Sequence, residues 1–104
     1  MDKKKIEQIA NTYGWDDQCQ VAIEECSELI QAICKHRRRH SHWLLSNMFE
    51  CPERNHIVEE IADVEIMLSQ LKYFLGADEE VEQEIEKKLE RQIQRIKEDG
   101  YELG

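Results

Sequence analysis

Residues 21–34 read VAIEECSELIQAIC, and their spacing predicts an amphipathic helix. At about 100° per residue, one face of this helix carries a stripe of small and apolar side chains: Ala22, Cys26, Leu29, Ile30 and Ile33. Glu25 and Glu28 are spaced i, i+3 and therefore share a face. Glu25 falls at the margin of the stripe rather than on the opposite, solvated side, and an acidic group there needs a physical reason.

Residues 57–71 repeat the arrangement with the letters IVEEIADVEIMLSQL. The apolar stripe of this second helix consists of Ile57, Ile61, Val64, Leu68 and Leu71. Glu60 lies at its margin and Asp63 follows one turn later. If the two stripes pack against each other, these two acids converge with those of the first helix. Converging carboxylates repel and take up protons unless a counter-charge is present, and a hard divalent cation such as Mg²⁺ supplies that charge through oxygen ligands.

The motifs EECSE at residues 24–28 and EIAD at residues 60–63 resemble the EExxE and ExxD motifs of the MazG-like, all-α nucleotide pyrophosphohydrolases. The resemblance extends over about residues 13–101. It implies an enzyme dependent on Mg²⁺, with Mn²⁺ as a possible substitute, that cleaves an NTP or dNTP between the α and β phosphates to the monophosphate and pyrophosphate. It also implies a homodimer or homotetramer, because members of this family pair helices across chains to complete the site.

The resemblance and the helical spacing together assign roles to nine residues. The expected metal ligands are Glu25, Glu28, Glu60 and Asp63. Glu24 is expected to orient or deprotonate the attacking water, and Gln18 to bind a base or sugar. The expected contacts to the departing pyrophosphate are Lys88, Arg91 and Arg95. Plainer alternatives stay open: Glu24 and Gln18 as solvated side chains, and the three cations as partners of neighbouring glutamates such as Glu84.

The expected chemistry needs charge neutralisation more than covalent catalysis. Mg²⁺ ions would bridge the carboxylates and the triphosphate, lower the pKa of a bound water and position it in line with a phosphorus atom. No nucleophilic side chain is required.

The composition favours one all-α domain over residues 1–104, with one Pro, four Gly and 36% charged residues. The net charge of −9 argues against general binding to nucleic acid or to a membrane surface, since both are anionic. Four cysteines without a CxxC pair are expected to be core or near-core thiols in a reducing cytosol. No apolar run approaches the roughly 20 residues of a membrane span, so we expect a cytoplasmic protein.

Helix signals predict four helices over about residues 2–12, 16–40, 53–75 and 78–98, arranged as an antiparallel bundle. Asp16 or Asp17 is expected to cap the second helix, and Trp15 to pack back onto its first turn. Gly76 should end the third helix and Asp78 should cap the fourth.

The connection between the second and third helices is first basic and then apolar. The run HRRRHSH at residues 36–42 either complements the helix dipole in water or places an arginine on substrate phosphate. The stretch WLLSNMFEC at residues 43–51 is expected to pack on the core or on a partner chain, with closure over a base as the alternative.

Two other functions fit parts of the sequence. A carboxylate-bridged di-iron site would use Glu53 and His56 as an ExxH element, but the second such element that it needs is missing. A non-catalytic helical interaction or regulatory module would leave the acids solvated and would show no dependence on Mg²⁺.

Overall fold

The structure, a computed structural model, describes residues 1–39 and 51–101. Over these ranges the chain is helical without strands, which confirms the predicted all-α class. The helices are α1 (Lys3–Tyr13), α2 (Trp15–Arg39), α3 (Arg54–Leu75) and α4 (Asp78–Glu98). None of these helices is long and apolar enough to cross a lipid bilayer. The apolar stretch predicted to pack on the core lies outside the described residues except for Cys51.

The helix ends follow local backbone chemistry. Asp2 caps α1, since its Oδ1 accepts hydrogen bonds from the backbone N–H groups of Lys4 and Lys5 at 3.0 and 3.3 Å. Gly76 ends α3 as predicted, because it adopts the left-handed conformation with φ at 60°. In that conformation its N–H reaches back to the carbonyl groups of the last turn.

Two capping predictions were wrong in the same way. Asp16 and Asp17 lie inside the first turn of α2 rather than at its cap, and Asp78 is the first residue of α4, with Ala77 at the N-cap. A carboxylate in the first turn interacts favourably with the helix dipole just as a capping one does. An aspartate near a helix start therefore does not fix the boundary to the residue.

Trp15 is the first residue of α2 and packs against α3. Its ring meets that of Phe74 edge to face, with centroids 5.5 Å apart and an interplanar angle of 86°. Further along α2, Gln18 contacts Gln70, and Glu25 approaches Asp63. The partners in α3 fall in number as the residues of α2 rise, so the two helices run antiparallel.

The faces that α2 and α3 turn towards each other are more polar than the sequence predicted. Among the described residues, the buried apolar side chains are Ile6, Ala10, Ala22, Ala32, Cys51 and Met67. Gln18, Glu60 and Gln70 are buried with them. Several residues of the two predicted stripes lie outside this contact, since Ile30 and Leu68 keep 61% and 47% of their surface exposed.

Helix α4 projects from the other three helices. It has no buried residue, makes few contacts with α3 and packs on neither α1 nor α2. The radius of gyration is 17.3 Å, whereas a compact chain of this size has one of about 13 Å. The predicted bundle is thus formed by α1, α2 and α3, and α4 does not complete it within one chain.

Candidate metal centre

Three of the four predicted metal ligands come together between α2 and α3. Glu25, Glu60 and Asp63 each contribute a carboxylate oxygen to a group in which all of these atoms lie within 4.8 Å of one another. The antiparallel packing brings Glu25 opposite α3, and the i, i+3 spacing aligns the two acids of α3 on one face. The convergence predicted from the two acidic motifs is therefore present in the fold.

The burial of these acids is unusual. Glu60 keeps only 8% of its surface exposed and Glu25 is half-buried, whereas Asp63 faces solvent. Glu25 Oε2 and Glu60 Oε2 are buried and have no hydrogen-bond partner in the described part of the chain. The other oxygen of Glu60 lies 3.3 Å from His56 Nε2. A buried carboxylate oxygen is unfavourable unless it is protonated or meets a donor or a cation.

The negative charges of the cluster also change the pKa of Glu25. The pKa of Glu25 is raised from 4.5 to about 7, first by its removal from water and then by the negative charges of Glu28, Asp63 and Glu60. A side-chain hydrogen bond with Glu28 raises it further. Glu28 is exposed, and with Glu60 and Asp63 it acts on Glu25, so the other three predicted ligands all raise the pKa of Glu25. A bound cation would displace the proton of Glu25.

The predicted supporting residues on α2 lie elsewhere. Glu24 is exposed, and its Oε1 accepts a hydrogen bond from Gln20 Nε2 at 3.3 Å. Gln18 is buried, and its Nε2 donates to Gln70 Oε1 at 2.7 Å. Neither residue is brought next to the three clustered carboxylates.

The predicted cationic residues of α4 are all exposed, and the packing of this single chain does not bring them to the acids. Lys88, Arg91 and Arg95 lie on a helix that makes no contact with α2. Glu84 pairs with Lys87 at 3.5 Å, whereas the i, i+4 spacing had favoured Lys88 as its partner. The side chains are long and solvated, so the sequence spacing does not select between the two lysines.

The structure describes the start of the basic run and all four cysteines. His36 is buried, Arg37 and Arg38 are exposed, and the rest of the run lies outside the side chains that the structure describes. Cys51 is buried, and Cys19 and Cys26 are half-buried, as expected of core or near-core thiols. Cys34 is exposed, so the prediction was wrong for that residue.

His56 is the residue of the site that sequence reasoning missed. It lies one turn before Glu60, and the i, i+4 spacing of an imidazole and a carboxylate was the available signal. The sequence analysis had paired His56 with Glu53 as a possible di-iron element. Glu53 is buried and accepts a hydrogen bond from Cys51 Sγ at 3.2 Å.

The described residues thus provide a set of carboxylate oxygens from two helices, partly buried and mutually repulsive. An all-oxygen donor set of this kind suits a hard divalent cation. The chain matches no known protein-family model, no curated protein and no solved structure.

Proposed function

We propose that the chain is a Mg²⁺-dependent nucleotide pyrophosphohydrolase that cleaves an NTP or dNTP between the α and β phosphates. The observation that carries the proposal is the pair of buried carboxylate oxygens, Glu25 Oε2 and Glu60 Oε2, that lack hydrogen-bond partners beside a third acid. A cluster held together only for folding would be expected to satisfy those oxygens with donors. The order and spacing of the two acidic motifs supply the reaction class.

The residues present fit the ion. Glu25, Glu60 and Asp63 would hold Mg²⁺ or Mn²⁺, with Glu28 near enough to join them. The cation would supply charge neutralisation at the phosphates and an activated water. The chain's own part is to orient the carboxylates, and Glu60 is held in place by its burial and by its contact with His56.

The acids differ in their exposure to solvent, and we assign them different tasks on that basis. Glu60 is fixed inside the helix pair, whereas Asp63 and Glu28 stand at the solvent side of the cluster, where a triphosphate would approach. Because the protein carries a net charge of −9, an anionic substrate would be repelled by most of its surface. A divalent cation at this cluster would reverse the local sign of the field.

The first experiment measures pyrophosphate release from a panel of canonical and modified NTPs and dNTPs, with Mg²⁺ and with EDTA. We expect release only with Mg²⁺, and we expect Glu60→Gln to lower kcat/KM by at least about 100-fold, or about 2.7 kcal/mol of transition-state stabilisation. Glu59→Gln is the matched control, since Glu59 is the exposed neighbour on the same helix and should retain activity.

Mn²⁺ binding, followed by electron paramagnetic resonance, separates the metal site from the chemistry. Binding that is lost in Glu60→Gln, without pyrophosphate release from any nucleotide, would keep the metal centre and reject the hydrolase. If the folded wild type neither binds Mn²⁺ nor releases pyrophosphate, both are rejected. The non-catalytic interaction module, which the exposed apolar faces favour, would then be the better proposal.

A further inference from the structure

His56 lies on the same face of α3 as the two acids that this helix contributes to the cluster. At about 100° per residue, His56, Glu60 and Asp63 fall within about 60° of one another around the helix axis. The side chain of His56 is 54% exposed, whereas that of Glu60 is 10% exposed. The imidazole therefore extends from solvent to a buried carboxylate, one turn further along the helix.

The contact between His56 and Glu60 has the dimensions of a metal chelate. His56 Nε2 lies 3.3 Å from Glu60 Oε1. This distance is longer than the roughly 2.7–2.9 Å of a charge-assisted hydrogen bond. Two ligands that are each about 2.1 Å from one ion are about 3.0 Å apart at an octahedral angle and about 3.4 Å apart at a tetrahedral angle. A cation can therefore bind between these two atoms with little movement of either side chain, and i, i+4 ligands on one helix are an arrangement that zinc sites use.

This position is separate from the centre that the three acids form. Glu25, Glu60 and Asp63 make up the group of ligand atoms within 4.8 Å of one another, and His56 is not a member of that group. Opposite ligands of a single ion are about 4.2 Å apart, so the imidazole does not share one ion with all three acids. The two positions have Glu60 in common, and a carboxylate has one oxygen for each of two ions.

The burial of Glu60 is a second observation that points to a ligand. The residue keeps 8% of its surface exposed, and its Oε2 has no hydrogen-bond partner in the described part of the chain. The other oxygen, Oε1, has the contact with His56 at 3.3 Å. An ionised carboxylate at this depth is unfavourable unless donors or cations compensate its charge. A cation on each oxygen would provide that compensation.

The donor atoms of the two positions suit different cations. The three acids offer oxygen alone, which suits Mg²⁺. His56 adds an imidazole nitrogen, a ligand that suits Zn²⁺, Ni²⁺ and similar ions and that Mg²⁺ rarely takes. Since His56 is exposed, water can complete the coordination on the solvent side.

We infer that a second divalent cation, of the class of Zn²⁺ and Co²⁺, binds between His56 Nε2 and Glu60 Oε1, so that Glu60 bridges two ions. The inference rests on the proposed function in one respect, namely that Glu60 is a metal ligand. It does not depend on the reaction, because it concerns the binding of metal without nucleotide.

Equilibrium dialysis of the full chain against Co²⁺, without nucleotide, tests the inference. We expect two Co²⁺ ions per chain in the wild type and one in His56→Gln. Glutamine can still donate a hydrogen bond to Glu60 at the i, i+4 spacing but has no imidazole nitrogen, so a purely structural role of His56 would survive this change. A large excess of Mg²⁺ should displace one of the two Co²⁺ ions from the wild type and the single ion from His56→Gln.

The ligand itself can be identified by NMR of the ¹⁵N-labelled histidine rings. Added Zn²⁺ should shift the ring resonance that is missing from the His56→Gln spectrum. Glu60→Gln should raise the dissociation constants of both Co²⁺ ions at least about 10-fold, because both positions use Glu60. Glu59→Gln is the matched control, since Glu59 is the exposed neighbour, and it should bind both ions like the wild type.

Three results would overturn the inference and leave the proposed function standing. They are a single Co²⁺ ion in the wild type, two ions in His56→Gln, and a strong near-ultraviolet charge-transfer band that identifies a cysteine thiolate as the ligand. A folded wild type that binds neither Co²⁺ nor Mn²⁺ would overturn the inference together with the metal centre of the proposed function.

Discussion

Glu25 gives the folded protein a specific dependence on pH. Its pKa is about 7 in the folded chain, above the 4.5 of an ordinary glutamate, because the carboxyl is removed from water and faces other acids. The folded state therefore holds this proton more tightly than the unfolded state. The stabilising contribution of the protonated Glu25 carboxyl is complete below pH 4.5 and is lost as the pH rises to about 7. In EDTA, we expect Glu25→Gln to flatten this part of the profile, as measured by urea unfolding.

The control for this prediction is Glu59→Gln, since Glu59 is an exposed glutamate outside the cluster. It should keep the wild-type dependence on pH. A loss of stability between pH 4.5 and pH 7 that is equally steep in Glu25→Gln would contradict the role given to Glu25.

Gln18 and Gln70 form a buried amide pair whose structural role can be separated from substrate binding. Replacing Gln18 by Ala leaves the buried Gln70 Oε1 without its donor at 2.7 Å, which should cost about 1–3 kcal/mol of unfolding free energy. Replacing both glutamines by Leu should recover most of the loss, because no unpaired polar group is left. Urea unfolding measures both effects.

A direct role of Gln18 in substrate binding would give a different result. Gln18→Ala would then raise KM, and the double Leu variant would recover stability without recovering KM. Equal stability of wild type and Gln18→Ala would contradict the structural role of the pair.

At the scale of elements, α4 differs from the other helices because local signals alone support it. Asp78, Glu79 and Glu80 occupy its first turn and Arg95 and Lys97 its last, so both ends complement the dipole. Its apolar stripe, Val81, Ile85, Leu89 and Ile93, contacts almost nothing in the described chain, and three of these four residues are exposed. Most of the stability of a helix in a protein comes from the packing of its apolar face, and α4 has little of that packing in the described chain.

We therefore expect the amide protons of α4 to exchange with solvent at least about 100-fold faster than those in the middle of α3, measured by hydrogen exchange and mass spectrometry or NMR. Opening α4 exposes little new surface, whereas opening α3 disrupts its packing against α1 and α2. Protection of α4 equal to that of α3 would contradict this expectation and would show that something covers the stripe.

At the scale of the whole molecule, the pair formed by α2 and α3 carries two kinds of surface. One is the acidic cluster, which we propose binds Mg²⁺ and a nucleotide, and the other is apolar, with Ile23, Ile30 and Leu68 exposed. The described core is small, with Ile6 and Met67 as its largest apolar members, so a single copy has little buried apolar surface to stabilise it.

The sequence by itself determined the helices and the convergence of the acids. Helical periodicity and the helix end at Gly76 depend on local backbone chemistry. The four helices, the end of α3 and the end of α4 at Glu98 were therefore predicted correctly. The i, i+3 spacings place Glu25 with Glu28, and Glu60 with Asp63, whatever the helices pack against. Antiparallel packing of neighbouring helices was then enough to bring three of these acids together.

The tertiary structure decided which faces meet. Each of α2 and α3 has an apolar stripe beside a face of small and polar residues, and periodicity assigned the stripe to the core. In the fold, Gln18 of α2 meets Gln70 of α3, Glu25 meets Glu60 and Asp63, and Ile30 and Leu68 remain outside. Hydrogen bonding and close approach of small residues decide which faces are in contact. Both depend on the partner helix, and the residue pattern of one helix carries no information about its partner.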